Sequence, residues 1–306
     1  MHFPALPDSL RLERLLPPTG RLRVVLDTDT YNEVDDQFAV AQMLLSLDRL
    51  TVEALYAVPF SNSRSNGPAD GMEKSYEEIL RLLRRLDIPP EGLVFRGSTQ
   101  YLTGPHEAQE SDAARDLVDR AMNGEGLLYV AAIGAITNVA AAIILEPRII
   151  ERIVLVWLGG QPLHWPSARE FNLKQDLHAS RLVFDCGVPL VLIPCQGVAS
   201  HLQTTVAELE HYVAGRGAIG DFLVERVKGY SADHCAWSKV IWDISVIGYL
   251  LEPRWVPTNL VPSPILTDQF TWSVDQSRHL IRIATKVDRD PIFRDLFKKL
   301  ERTQHG

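Results

Sequence analysis

The chain has few cysteines: Cys186, Cys195 and Cys235 are the only three in 306 residues. None stands in a CxxC spacing, which excludes a disulfide framework or a thiolate zinc site and fits a reducing compartment, so a cytoplasmic location is expected. Positive charge is also short. Lys and Arg total 31 against 39 Asp and Glu, a net charge of −8. Phosphate neutralisation needs a basic face, so nucleic acid is not an expected partner. The opening stretch MHFPALPDSLRLERLLPPTGRL lacks a positive segment followed by an apolar run, and no signal peptide is expected. Long apolar runs are scarce. Residues 127–145 reach about bilayer length, but Gly134, Thr137 and Asn138 break them into a strand, a turn and a helix of soluble core. No membrane partner is expected. With 46% hydrophobic and 23% charged residues, the composition excludes disorder as the main state.

What is present is alternation. Short β-branched runs at 22–26, 52–58, 127–132, 153–158 and 189–193 predict strands, and periodic segments at 37–47, 71–85, 138–145 and 177–186 predict helices. Units of this kind imply an α/β fold with a mostly parallel open sheet flanked by helices. After residue 200 the pattern turns helical, at 204–216, 217–228, 243–251 and 291–300, with one late strand at 279–284. Residues 1–20 carry four prolines and no clean period, and read as an arm packed over one α/β domain spanning 1–306. Polar stretches at 59–70 and 228–239 read as surface loops, placed where open parallel sheets bind ligands.

The informative segment is VVLDTDTYNEVDDQFAV, with Asp27, Asp29, Glu33, Asp35 and Asp36 inside ten residues. A hydrophobic strand delivers Asp27 and Asp29 to its end on one face. Asp35 and Asp36 open the next helix and point roughly 100° apart, toward different targets. The helix N-terminus offsets part of their repulsion. The rest requires raised pKa values or a cation. Oxygen ligands without nearby His or Cys favour Ca²⁺ or Mg²⁺ over Zn²⁺. A single capping aspartate among solvated neighbours is a poor account of charges at the end of a buried strand.

This segment resembles the DxDxxxDD signature of the nucleoside hydrolases, the calcium-dependent N-ribohydrolases of inosine-uridine-preferring type. Three further segments resemble that family in order: AIGAITNVAAAI with Gly134, Thr137 and Asn138; REFNLKQDLHAS with Glu170, Asn172 and Asp176; and IWDISVIGYLLEP with Asp243. The resemblance implies a Rossmann-like nucleoside hydrolase fold, a homodimer or homotetramer, and hydrolysis of the N-glycosidic bond of a ribonucleoside or related N-riboside to ribose and free base. It implies Asp29 as general base toward a water held by calcium, with magnesium the lesser choice. Asp29, Asp36, Asp243 and the Thr137 carbonyl become the metal set. Asp35, Glu170 and Asn172 become ribose-binding groups, and Asp27 and Asn138 support the site from behind. Bland readings stand beside these: Asp243 as a helix cap, Thr137 as turn chemistry, Glu170 and Asn172 as loop polar residues. Asp176 reads as a cap.

The chain departs from the family pattern at four places. Five residues, Thr30 to Val34, separate Asp29 from Asp35 where the family has three. Trp242 occupies the place of a histidine implicated in protonating the leaving base; it reads either as a base-stacking ring or as core. His164 replaces an asparagine ahead of the EFN glutamate, and reads as a contact to ribose or base or as merely exposed. The asparagine after the second strand matches Phe60 or, loosely, Asn62. His234 is a further candidate acid, and a substrate with a better leaving group needs none. Two other readings compete. A haloacid-dehalogenase-type Mg²⁺ phosphatase also begins with a strand and DxD, with Asp27 as nucleophile, but Tyr31 stands where Thr or Val is usual and Asp35-Asp36 goes unexplained. A non-catalytic calcium- or ribose-binding protein on the same fold is the third.

Overall fold

The computed structural model describes residues 2–303. The first strands are β1 (Leu22–Thr28), β2 (Leu50–Ala57), β3 (Val94–Arg96), β4 (Leu128–Ala132), β5 (Ile153–Leu158) and β6 (Leu190–Ile193). Two later strands, β7 (Thr258–Pro262) and β8 (Leu280–Ala284), complete one sheet in the order β3-β2-β1-β4-β5-β6-β8-β7. All neighbours are parallel except β8 and β7. The parallel strands are continuous apolar runs because helices cover both faces; every residue of β4, β5 and β6 is buried. Strand order reverses beside β1, since β2 lies on one side and β4 on the other. A crevice opens at such a switch point, beyond the carboxyl ends of the strands.

Two short helices run back from that crevice. Asp36–Leu44 follows β1 and is buried along its whole length. Thr137–Leu145 follows β4 and exposes only its last residue to any degree. Alanines at 39, 41, 140, 141 and 142 let both lie close against the sheet. Their N-termini, the positive ends of the helix dipoles, are directed at the crevice.

The structure departs from the sequence expectations in several elements. The supposedly irregular first segment contains a helix, Asp8–Arg14, and Arg11 anchors it by donating to the Gly187 carbonyl at 2.7 Å. The helix expected to reach residue 47 stops at Leu44, and the one expected from 204 runs only over Val206–Tyr212. Strands β3 and β7 and the helix Asp112–Asn123 were not legible: β3 is three residues long, and β7 is a half-exposed edge without alternation. The apolar stretch at 127–145 is a strand, a turn and a helix. Among the described residues no helix is long and apolar enough to cross a membrane.

Candidate active site

At the carboxyl ends of β1, β4 and β5 lies a cavity of about 220 Å³. Ile133 and Leu158 form its floor, and Asp35, Asp36, Glu170, Asn172, Trp242 and Asp243 line it, with Asn32, Glu33, Gln161, Phe171, Cys195 and Gln196. Six of the expected site residues are thus drawn together from three separate stretches of chain.

Asp35 and Asp243 stand at the starts of their helices, yet neither side chain makes a capping hydrogen bond. A helix-start aspartate ordinarily accepts from the first turn, so these two carboxylates are turned elsewhere. They meet Asp36: one oxygen from each of the three lies within 4.8 Å of the others, and all three residues are buried. Asp36 also accepts from the Thr28 hydroxyl at 2.6 Å. Asp29 is wholly buried, and neither of its carboxylate oxygens has a hydrogen-bond partner. Burial pushes Asp29 well above the usual carboxylate range, and the charges of Asp36 and Asp35 add to the effect. Burial likewise raises Asp243, with Asp35 and Asp36 next in weight. It lifts Asp36 to about 8, helped by Asp35. Four buried carboxyl groups, Asp29 with both oxygens orphaned and no His or Cys among the four, fit a hard divalent cation. The three whose oxygens converge are Asp35, Asp36 and Asp243, with Asp29 near enough for the charges of Asp36 and Asp35 to act on it.

Gly134 shows how tightly Asp29 is housed. A Cβ at that position would lie 3.1 Å from the Asp29 carboxyl carbon and 3.1 Å from Val58. The turn is pinned by the buried Trp157, whose indole N–H donates to the Gly134 carbonyl at 3.1 Å. Behind it, the Asn138 amide donates to Asp27 at 2.9 Å and to the Ala57 carbonyl at 3.1 Å, and its oxygen accepts from the Ser98 amide at 2.7 Å. The other Asp27 oxygen is buried without a partner, and burial raises this group to about 8.

The ribose-side candidates are more constrained. Asn172 donates to the carbonyls of Ile133 (3.2 Å) and Leu158 (3.0 Å), leaving its oxygen toward the cavity wall it lines. Glu170 caps the short helix Phe171–Gln175, accepting from the amides of Asn172, Leu173 and Gly160 at 3.0 to 3.1 Å. Thr137 is absent from the cavity wall; its hydroxyl donates to Asp176 at 2.9 Å. Asp176 caps its own helix through Ala179 and also accepts from the Leu102 amide. Asn62 lies behind the wall, donating to Asn32 at 2.6 Å. His164 is exposed and away from the cavity, because its loop turns outward between Pro162 and Ser167. His234 is likewise exposed, its ring nitrogen 3.0 Å from the Lys228 carbonyl. Phe60 is core. Trp242 serves both readings: it lines the cavity and packs against the core.

Sequence reasoning missed Lys239. Its ammonium, 6% exposed, donates to Glu33 at 2.7 Å and sits 4.0 Å from Asp35. Glu33 comes from the turn between Asp29 and Asp35, and this ion pair fixes a charge of each sign at the cavity's edge. No local pattern announces a pair 206 residues apart. Phe171 sat unremarked between two residues already singled out, and Cys195, Gln161 and Gln196 carried no spacing signal.

A carboxylate-lined cavity at the switch point of a parallel sheet, fitted for a hard cation, suits a metal-assisted enzyme acting on small molecules. The chain belongs to the inosine-uridine preferring nucleoside hydrolase family, whose profile matches residues 24–294. That family is metal-dependent and acts on N-glycosyl bonds of small nucleosides. Its match does not favour the phosphatase or non-catalytic readings. The chain is 26% identical over 158 residues to the pyrimidine-specific ribonucleoside hydrolase RihB of Escherichia coli, an alignment covering 50% of each protein. It is 26% identical over 174 residues to a putative RihB of Shigella boydii, covering 55% of this chain and 69% of that one. The matched region thus spans about half to two thirds of these relatives. A plant nucleoside hydrolase, PpNRh1, shares the fold with a TM-score of 0.74 at 20% identity, covering 92% of this chain and 99% of the other. A purine-preferring ribonucleoside hydrolase from Gardnerella vaginalis superposes with the same score and coverage at 18% identity.

Proposed function

We propose that this chain hydrolyses the N-glycosidic bond of ribonucleosides with Asp29 as general base, in a site that takes calcium. The observation that carries the reading is the convergence of Asp35, Asp36 and Asp243, two of which decline to cap their helices, beside a buried Asp29 whose carboxyl feels the charges of Asp35 and Asp36. Asp29, Asp36 and Asp243, with the Thr137 carbonyl, would hold a calcium ion, which would supply positive charge to these carboxylates and lower the pKa of a water beside them. Asp29 takes the proton from the water that attacks the anomeric carbon. Asp35 and the Asn172 oxygen bind ribose hydroxyls and hold C1′ in line. Glu170, saturated by backbone donors, fixes the turn carrying Asn172 and lends negative charge to an oxocarbenium-like transition state. Trp242 stacks on the aglycone.

The test is ribose release from inosine, uridine and nitrophenyl riboside after chelation and after calcium is restored. Activity abolished by chelator and recovered with calcium is the expected result. No ribose from any of the three at any calcium concentration defeats the reading.

A further inference from the structure

We infer that Glu78 is a positioning residue for the reaction: through Gln37 it fixes the turn that runs from Asp29 to Asp35 and carries three residues of the cavity wall, Asn32, Glu33 and Asp35. The kinetic consequence of that role rests on the hydrolase reading above.

Glu78 lies on the helix Pro68–Arg85, whose inward face is otherwise Gly71, Met72, Ser75, Ile79, Leu82 and Leu83. It is wholly buried, and a buried charge is costly unless it is paired. Arg81 of the same helix donates to one carboxylate oxygen at 2.6 Å. The guanidinium of Arg226, from the helix Gly217–Lys228, stands 3.8 Å from the other. The two arginines offset the cost of the charge without giving a reason for it. An apolar side chain of similar size commonly serves packing as well as a buried ion pair does.

A reason lies on the inner side of Glu78. The Gln37 amide nitrogen donates to Glu78 at 3.2 Å and to the Thr30 carbonyl at 2.8 Å. Both hydrogens of one NH₂ group thus meet two acceptors. The Gln37 oxygen is buried with no partner, so the amide faces this way for the sake of its nitrogen. A carboxylate accepts and does not donate. Turning the amide over would set its oxygen against Glu78 and against the Thr30 carbonyl. Glu78 therefore decides which way Gln37 faces, and Gln37 fastens Thr30 to the helix Asp36–Leu44. Asn62 and Lys239 reach the same turn further on, at Asn32 and Glu33.

Without Glu78 the loss falls unevenly. Asp29 follows directly on β1, which is paired on both sides. Asn32, Glu33 and Asp35 ride on the turn itself. In the proposed reaction Asp35 binds a ribose hydroxyl, so a looser turn weakens the hold on the sugar in ground and transition state alike, which raises KM and spares kcat.

Three variants of the calcium-loaded chain test this with inosine, uridine and nitrophenyl riboside. Glu78→Gln keeps the shape of the side chain but offers an NH₂ group of its own, which frees the Gln37 amide to turn over. It is expected to raise KM by about tenfold with kcat within about twofold. Arg81→Met removes an ion pair from the same carboxylate through a half-exposed side chain, and is expected to leave KM within about twofold. Gln37→Leu is expected to match Glu78→Gln, and the double variant to add nothing to either; it carries the test where Glu78→Gln does not fold. A KM for Glu78→Gln less than about threefold above the parent, or an equal rise in Arg81→Met, overturns the assignment. Hydrogen–deuterium exchange reads the turn without turnover. Amides 30–35 are expected to exchange about tenfold faster in Glu78→Gln than in the parent or Arg81→Met, and unchanged exchange overturns the assignment whatever KM does. If the parent cleaves none of the three ribosides, the hydrolase reading fails and the exchange arm alone decides the role of Glu78.

Discussion

In the proposed reaction Asp29 takes the proton from water, and its surroundings suit it to that part. It is buried, unpartnered and pressed against Gly134, so it has no structural bond to lose. Asp29→Asn is therefore expected to lower kcat by about 10²–10⁴-fold with far-ultraviolet circular dichroism unchanged; an intact rate would dismiss it as the base. Lys239 acts in the opposite sense. It places a positive charge 4.0 Å from Asp35 and so competes with a cation for the carboxylates. Lys239→Met is expected to tighten calcium binding by about tenfold, an effect well within the Coulomb energy of unit charges at that distance. Calorimetric titration reads it directly, and weaker binding would show the lysine to be a scaffold only. The aspartates were legible in the sequence because a carboxylate at the end of an apolar strand is costly to bury unless a cation or a substrate engages it. Lys239 was silent because one lysine in WSKVIWD carries no period and no motif.

At the scale of elements, the site depends on what holds β1, β2 and the helix Thr137–Leu145 in register. Beyond the backbone ladder, Asn138 ties all three together, reaching Asp27 of β1, Ala57 of β2 and the amide of Ser98. Asn138→Ala strands buried acceptors on two strands and is expected to cost about 1–3 kcal/mol for each partner left unsatisfied, measured by urea unfolding. A loss under about 0.5 kcal/mol, below the usual worth of even one such bond, would mean that water or a shift of β2 replaces the amide. The central strands and the helices between them were readable because burial on both faces leaves unbroken Val, Ile, Leu and Ala runs. Strand β3 and the edge strand β7 were not, since tertiary pairing rather than local propensity makes them strands. The helix Asp8–Arg14 was hidden by flanking prolines, although Pro7 at its N-cap is compatible with a helix start.

At the scale of the whole molecule, the buried carboxyl groups tie folding to pH and, in the proposed site, to the cation they hold. Asp27 and Asp36 are raised to about 8, in both cases chiefly by burial, against about 3.9 in an unfolded chain. Between those limits the folded protein binds more protons than the unfolded one. Their contribution to stability is therefore complete below about pH 4 and drains away as pH climbs through 8. Without calcium, Tm is expected to fall between about pH 5.5 and pH 8. Calcium replaces the lost protons, and at a hundredfold excess over Kd adds about 2.7 kcal/mol, a gain of several degrees. At one fixed calcium concentration the gain should be larger at the higher pH, where fewer protons compete and Kd is lower. Scanning calorimetry at both values checks it, and an equal or inverted shift would exclude the cluster as the binding site.

The carboxylates grouped at the switch point enter the chain some two hundred residues apart, at 29, 35 and 36 and then at 243. A nascent polypeptide halted before the last of them can build most of the sheet and still hold no ion. Cation capture thus belongs to the finished molecule alone, and calcium uptake during refolding would time the final closure of the chain, not its early collapse.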